Sequence, residues 1–239
     1  VTFQSADANA DSVIWENTAN SSTNNYVLKL NGTDHITLKN ITFKRLGTSY
    51  SQKLVLYGVT NSVTIENNTF LGYQGGNSSN HVSVYGGGAD AEDLKIKTNT
   101  FKDGGYYAIY LDSDNTSSSP TGLEISGNTI TDTYGGIYAE YFDAVTVRGN
   151  TIKGSYMLDK GIYLYYCDGA NAVEDNTIYA PDMGHGIYLN YCQAASGSEA
   201  TIVNNLISVE DYGIYMYQYN NYHNVYYNSV KVRDSNALY

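Results

Sequence analysis

An eight-residue pattern returns eight times along the 239-residue chain, and nothing else in the sequence constrains the fold as tightly. The pattern reads apolar, any, apolar, any, any, Asn, any, apolar. Its copies begin at Ile36, Val63, Leu94, Leu123, Val145, Asn171, Ala200 and His223, the first position being the loosest. The sixth position is Asn68, Asn99, Asn128, Asn150, Asn176, Asn205 and Asn228 in seven copies and Ile41, after Asn40, in the first. Successive Asn residues lie 31, 29, 22, 26, 29 and 23 apart, a spacing in the range of solenoid repeats. An apolar–x–apolar stretch recurs in step with the pattern. It is Leu28-Lys29-Leu30, Leu54-Val55-Leu56, Val82-Ser83-Val84, Ile109-Tyr110-Leu111, Ile137-Tyr138-Ala139, Ile162-Tyr163-Leu164, Ile187-Tyr188-Leu189 and Ile214-Tyr215-Met216, with a ninth beginning at Ala237.

Both stretches alternate with period two and read as short strands. A unit of two or three such strands cannot bury its inward face alone. Stacking units in register, each strand about 4.8 Å from its counterpart, buries that face continuously. The Asn-rich turns recur at one phase, which favours a solenoid over a sandwich of hairpins. The expected fold is all-β, a parallel β-helix of about eight to nine coils, in one domain over residues 1–239. Both ends fall within strand pattern, so a piece of a longer chain is expected, with open coil ends able to stack end to end.

The units resemble the repeats of right-handed parallel β-helix proteins of the pectate-lyase-like superfamily. The opening, Val1-Thr2-Phe3-Gln4-Ser5 with Tyr26 to Gly32 and Ile36 to Phe43, is similar to segments of very large secreted surface proteins of Bacteroidetes-type bacteria. The resemblance implies right-handed winding, in line with the usual hand of parallel crossovers. It leaves activity open, because the superfamily holds lyases, hydrolases, epimerases, adhesins and structural fibres.

Charge narrows the partners. The net charge of −11 argues against nucleic acid, whose phosphates need Lys and Arg. It argues more weakly against polyanionic polysaccharide without a divalent cation. No apolar run approaches the length of a membrane span, so no membrane insertion is expected. High polarity with many Asn, Ser and Thr suits a secreted or cell-surface protein.

Stacking turns repeat positions into columns. The Asn column is expected to point inward at a turn and to hydrogen-bond along the stack. The outward column of the apolar–x–apolar strand runs Lys29, Val55, Ser83, Tyr110, Tyr138, Tyr163, Tyr188 and Tyr215. Beside it run Asn31, Tyr57, Tyr85, Asp112, Glu140, Tyr165, Asn190 and Tyr217. Two readings stand for this face. Tyr is a good strand residue whose rings stack along a ladder. The same rings and hydroxyls, with Tyr165 and Tyr217, offer a binding face for a glycan, a protein partner or another segment of the parent protein. A third column, Asp114, Phe142, Cys167, Cys192 and Tyr219, reads as inward. It makes Cys167 and Cys192 neighbours, as stacked thiols, a disulfide or, least fitting, a metal pair.

Catalytic signals are sparse. Gly184-His185-Gly186 matches one element of polygalacturonases in that superfamily, but the adjacent aspartates and Arg-x-Lys are missing, and Lys231-Val232-Arg233 has the wrong order. Asp112, Asp114, Glu140 and Asp143 form an expected acidic cluster, and Asp112-Ser113-Asp114-Asn115 resembles the start of a calcium loop without its later Gly and Glu. Asp112 and Asp114 are thus the candidate calcium ligands, with no other cofactor expected. The leading expectation is a non-enzymatic structural or adhesin-like module with a Tyr-rich face. The alternative is a polysaccharide lyase or glycoside hydrolase using the acids around Asp112 and Glu140.

Overall fold

Each copy of the pattern folds as two short strands joined by a sharp turn. In the second copy these are Thr64–Glu66 and Thr69–Leu71. The residue before the sixth position takes a left-handed conformation in every copy, at Asn40 before Ile41 and, before the ladder Asn, at Asn67, Thr98, Gly127, Gly149, Asp175, Asn204 and Tyr227. This turn aims the next side chain, the Asn, into the coil. The structure, a computed structural model, describes all residues except 59, 74, 77, 115–118 and 156–158. Asn115 of the calcium-loop motif therefore lies outside the described residues.

The coils stack in register as a parallel β-helix. One nine-stranded sheet runs from Thr2–Gln4 to His223–Tyr226, every pairing parallel. Its inward column is Leu38, Ile65, Ile96, Ile125, Val147, Val173, Ile202 and Val225. A second stack follows the Asn turn, with inward Phe43, Phe70, Phe101, Ile130, Ile152, Ile178, Ile207 and Val230. Phe43, Phe70 and Phe101 stack at 5.0 and 4.8 Å. A third stack carries the apolar–x–apolar stretches, as in Leu54–Tyr57, Lys160–Tyr165, His185–Asn190 and Tyr212–Tyr217. In two coils the second and third stacks join as single strands, Thr100–Asp112 and Thr129–Glu140. Nearly all inward residues of the middle coils are inaccessible to solvent. Burying each Ile, Leu or Phe contributes about 1.5–3 kcal/mol. Among the described residues no helix is long and apolar enough to cross a membrane.

The Asn column is a continuous ladder. Asn99 Nδ2 donates to Asn128 Oδ1 at 3.1 Å, and Asn128 Nδ2 to Asn150 Oδ1 at 3.0 Å. The same oxygens accept the backbone N–H of the preceding Asn. Ile41, the exception, donates its backbone N–H to Asn68 Oδ1 at 3.0 Å.

Two expectations are corrected. The third strand is Val84–Gly87, not Val82 to Val84, so Tyr85 rather than Ser83 pairs with Val55 and Tyr110. Alternation holds in both frames through Val82-Ser83-Val84-Tyr85, and Gly86 hides the inward position. A Cβ on Gly86 would lie 3.0 Å from Leu111 Cδ2, which is why no side chain marks it. The column holding the cysteines is inward only at Phe142, Cys167 and Cys192; Asp114 and Tyr219 are exposed.

Candidate functional site

The corrected register lengthens the Tyr column. It runs Tyr85, Tyr110, Tyr138, Tyr163, Tyr188 and Tyr215 by strand pairing, and Tyr239 continues it where Leu238 bridges Ile214. Neighbouring centroids lie 5.7, 4.4, 5.0, 4.8, 5.1 and 4.8 Å apart in that order. Most pairs are near parallel, with Tyr188 and Tyr215 at 7°. Their faces therefore cover one another along the coil axis, and the Tyr138 hydroxyl turns to Glu140 of the neighbouring column. Tyr163 is turned, at 76° to Tyr138 and 72° to Tyr188. Lys160 Nζ lies 5.0 Å from its ring centre and the Tyr165 ring 5.9 Å away.

A second ladder was not foreseen from the sequence. Tyr141, Tyr166, Tyr191 and Tyr219 stack at 5.2, 4.7 and 5.4 Å along the corner that follows the third strand. All four have positive φ, 58°, 48°, 54° and 45°. The first coils place Gly32, Gly58 and Gly88 at this corner, at φ 58°, 67° and 70°. A left-handed conformation costs a residue with a Cβ about 1–2 kcal/mol. Tyrosine thus stands where glycine is the unstrained choice, as other side chains do at the remaining corners, Thr98, Ala144 and Tyr227 among them. The readable signal was the change from Gly to Tyr after the third strand.

Between the ladders runs the column Asp112, Glu140, Tyr165, Asn190 and Tyr217. Tyr138 donates its hydroxyl to Glu140. Burial, and secondarily this bond and the Glu140 charge, push the Tyr138 phenol far up. Burial, then the charges of Asp112 and Glu140, raise Tyr110 to about 12. Asp112 is raised by burial and by Asp114, and Glu140 by burial, against the lowering effect of the Tyr138 bond, with Asp112 and Asp114 adding to the rise. Asp143 does not join these acids; its charged neighbour is Asp168. On the other side of the main ladder, Tyr107 Oη donates to Asp159 Oδ2 at 2.6 Å, and Lys160 Nζ pairs with Asp159 Oδ1 at 2.6 Å.

The expected chemistry falls into place differently. His185 is an aromatic member of the face, stacked on Tyr212 at 5.1 Å. Burial and then Lys160 hold its imidazole below the usual range. Arg45 is buried and donates to the carbonyls of Tyr50, Tyr26 and Ala19. Arg148 pairs with Asp175, and Arg233 with Glu210, Asp182 and Asp234. None of the three arginines pairs with Asp112 or Glu140. Among the described residues no group of three or more His, Cys, Asp or Glu side chains is placed to hold a metal ion, Asp112 and Asp114 included. Cys167 and Cys192 are free, buried thiols on adjacent coils. Their Sγ atoms bond to the carbonyls of Ala139 and Leu164, at 3.3 and 3.4 Å.

Comparison with known proteins adds a family. The profile of the family described as "Periplasmic copper-binding protein (NosD)" matches residues 76–239. Comparison with curated proteins finds no match. Among solved structures, the Streptococcus pneumoniae surface protein and adhesin PfbA is similar, at 13% identity and a TM-score of 0.46, over 87% of this chain and 76% of that one. Among the described residues none fits a copper centre. A copper ligand set draws on thiolate, thioether or imidazole donors, and the sulfur pair nearest to one is sealed in the core. Burial, with Cys192 beside it, pushes the Cys167 thiol far up, so it stays protonated.

Proposed function

The chain belongs to the NosD family, and on that premise we propose that it is a non-enzymatic β-helix module of a secreted or cell-surface protein whose Tyr-rich face binds carbohydrate. The observation that carries this is the pair of parallel Tyr ladders, Tyr85 to Tyr239 and Tyr141 to Tyr219, on one side of the solenoid. The stacked rings bring many phenol groups to one side of the coil, and acid and amide side chains stand between them. That surface suits a ligand rich in hydroxyls, which donates and accepts at many points.

Glycoside hydrolysis or lyase chemistry at Asp112 and Glu140 is the weaker reading. Both acids lie on the face, but the cationic groups nearest to it are already engaged, Lys160 by Asp159 and the arginines elsewhere. The family description as periplasmic supports a place outside the cytoplasm.

The test is a glycan-binding screen of the chain, with Ca²⁺ and with chelator, beside Tyr163→Ala and Tyr188→Ala. The expected result is binding that is insensitive to chelation and weakened at least about tenfold in both variants. Loss on chelation alone would move the site to Asp112 and Asp114. Absence of binding in every condition would leave the ladders a purely structural role.

A further inference from the structure

Lys231-Val232-Arg233 has no part in the Tyr-rich face. It stands on the second stack, whose outward column runs Lys102, Thr131, Lys153, Tyr179, Ser208 and Lys231 by strand pairing. Two cavities open on this side and share Tyr179 and Pro181. One, of about 370 Å³, is also lined by Thr131, Asp132, Lys153 and Gly154. The other, of about 220 Å³, is also lined by Ser208, Val209, Lys231, Val232 and Arg233. Together they form one groove along the coil axis, with the Tyr179 ring, 60% exposed, at its middle.

The groove has a cation at each end. Lys153 and Lys231 are exposed, and among the described residues neither makes an ion pair. The acids that flank the groove are engaged elsewhere. Asp182, Glu210 and Asp234 gather on Arg233. Asp132 Oδ1 lies against Gly154, where a Cβ would stand 2.5 Å from it, and it makes no ion pair with Lys153. Charges are screened over about 8 Å at physiological salt, so the acids of the Tyr-rich face do not cancel these lysines. Between the lysines the walls are largely apolar, with Pro181, Val209 and Val232 beside the Tyr179 ring.

We propose that this groove binds an extended peptide segment with two acidic residues four positions apart and an apolar residue midway between them. Lys153 and Lys231 are three strand spacings apart, about 14 Å. An extended chain rises about 3.4 Å per residue and turns alternate side chains to one side, so its residues i, i+2 and i+4 face the groove and span about 14 Å. The end carboxylates meet the lysines, and the side chain between them enters the cavity of about 220 Å³ against Tyr179 and Pro181. The peptide crosses the strands, so recognition is by side chains and not by an added strand. An acidic glycan fits less well, because its hydroxyl-rich rings would meet Pro181, Val209 and Val232. The groove shares no residue with the Tyr ladders, and the proposal does not depend on what they bind.

The experiment is fluorescence anisotropy with dye-labelled peptides Gly-Ser-Glu-Thr-Xaa-Thr-Glu-Ser-Gly, where Xaa is Leu, Val or Phe, with counterparts carrying Gln for both Glu, and with a labelled uronate hexamer. The wild-type chain is expected to bind at least one of the acidic peptides, and its Gln counterpart at least about tenfold more weakly. Lys153→Glu, Lys231→Glu and Tyr179→Ala are each expected to weaken binding at least about tenfold. Lys97→Glu makes the same charge change on a strand of the nine-stranded sheet, away from the groove, and is expected to bind as wild type. Thermal melts accompany each variant, and the lysine changes carry the test if Tyr179→Ala does not fold. Undiminished binding in folded Lys153→Glu or Lys231→Glu overturns the site. An equal loss in Lys97→Glu overturns it as well, since net charge and not the groove would then govern binding. Tighter binding of the uronate hexamer than of every peptide overturns the ligand class. No binding of any peptide by the wild type overturns the proposal and leaves the carbohydrate reading untouched.

Discussion

At the scale of single residues, the least legible feature is Lys53. Its side chain is wholly buried, its Nζ has no hydrogen-bond partner, and a Cβ on Gly72 would lie 2.4 Å from that nitrogen. Burial, and then the Arg45 charge, lower its pKa from 10.5 to about 7, against a smaller opposing effect of Asp103. In the sequence it is one of 13 basic residues with no motif around it, and nothing in Gln52-Lys53-Leu54 marks it as internal. Above pH 7 Lys53 is neutral in the fold, while the unfolded chain keeps its lysine protonated up to 10.5. The unfolded state thus binds more protons across that window, and stability rises with pH through it. Between pH 7 and 9 the Lys53 contribution should be about 2 kcal/mol. Denaturant melts of wild type and Lys53→Met check this. The Met variant should lose that part of the slope and be more stable at pH 7. An unchanged slope in Lys53→Met would assign the dependence to other groups.

At the scale of the element, the Asn ladder was read correctly because stacking maps one repeat position onto one column. Its energetics follow from its bonds. Asn128 accepts from Asn99 N and Nδ2 at 2.9 and 3.1 Å, and donates to Ile96 O and Asn150 Oδ1 at 2.8 and 3.0 Å. Asn128→Ala leaves these groups buried and unpaired, so it should cost about 3 kcal/mol in denaturant unfolding. Asn228, at the partly exposed end, should cost about 1 kcal/mol when changed to Ala. Equal costs at the two positions would mean that burial does not set the strength of the ladder. The third strand was harder to read. Gly86 removed the apolar mark from an inward position, so the frame slipped by two residues at Val82. The corner tyrosines escaped notice because a left-handed φ leaves no trace in hydrophobic periodicity. The switch from Gly32, Gly58 and Gly88 to Tyr141, Tyr166 and Tyr191 was the available sign.

At the scale of the whole molecule, the repeat was enough to give the architecture, since any unit that must share its core with the next has to stack. The face it builds was legible as a row of tyrosines. Ring orientation was not, because it depends on which neighbours each ring meets, as with Tyr163 turned between Lys160 and Tyr165. The central claim is that this face binds carbohydrate and the other sides of the solenoid do not. The most direct test is NMR of the chain labelled with ¹³C at its tyrosine rings, titrated with the oligosaccharide that binds best. Shifts are predicted for Tyr163, Tyr165, Tyr188, Tyr191, Tyr215 and Tyr217, with Tyr179 and Tyr226 unmoved. Shifts confined to Tyr179 or Tyr226, or none at all at saturating ligand, would contradict the account.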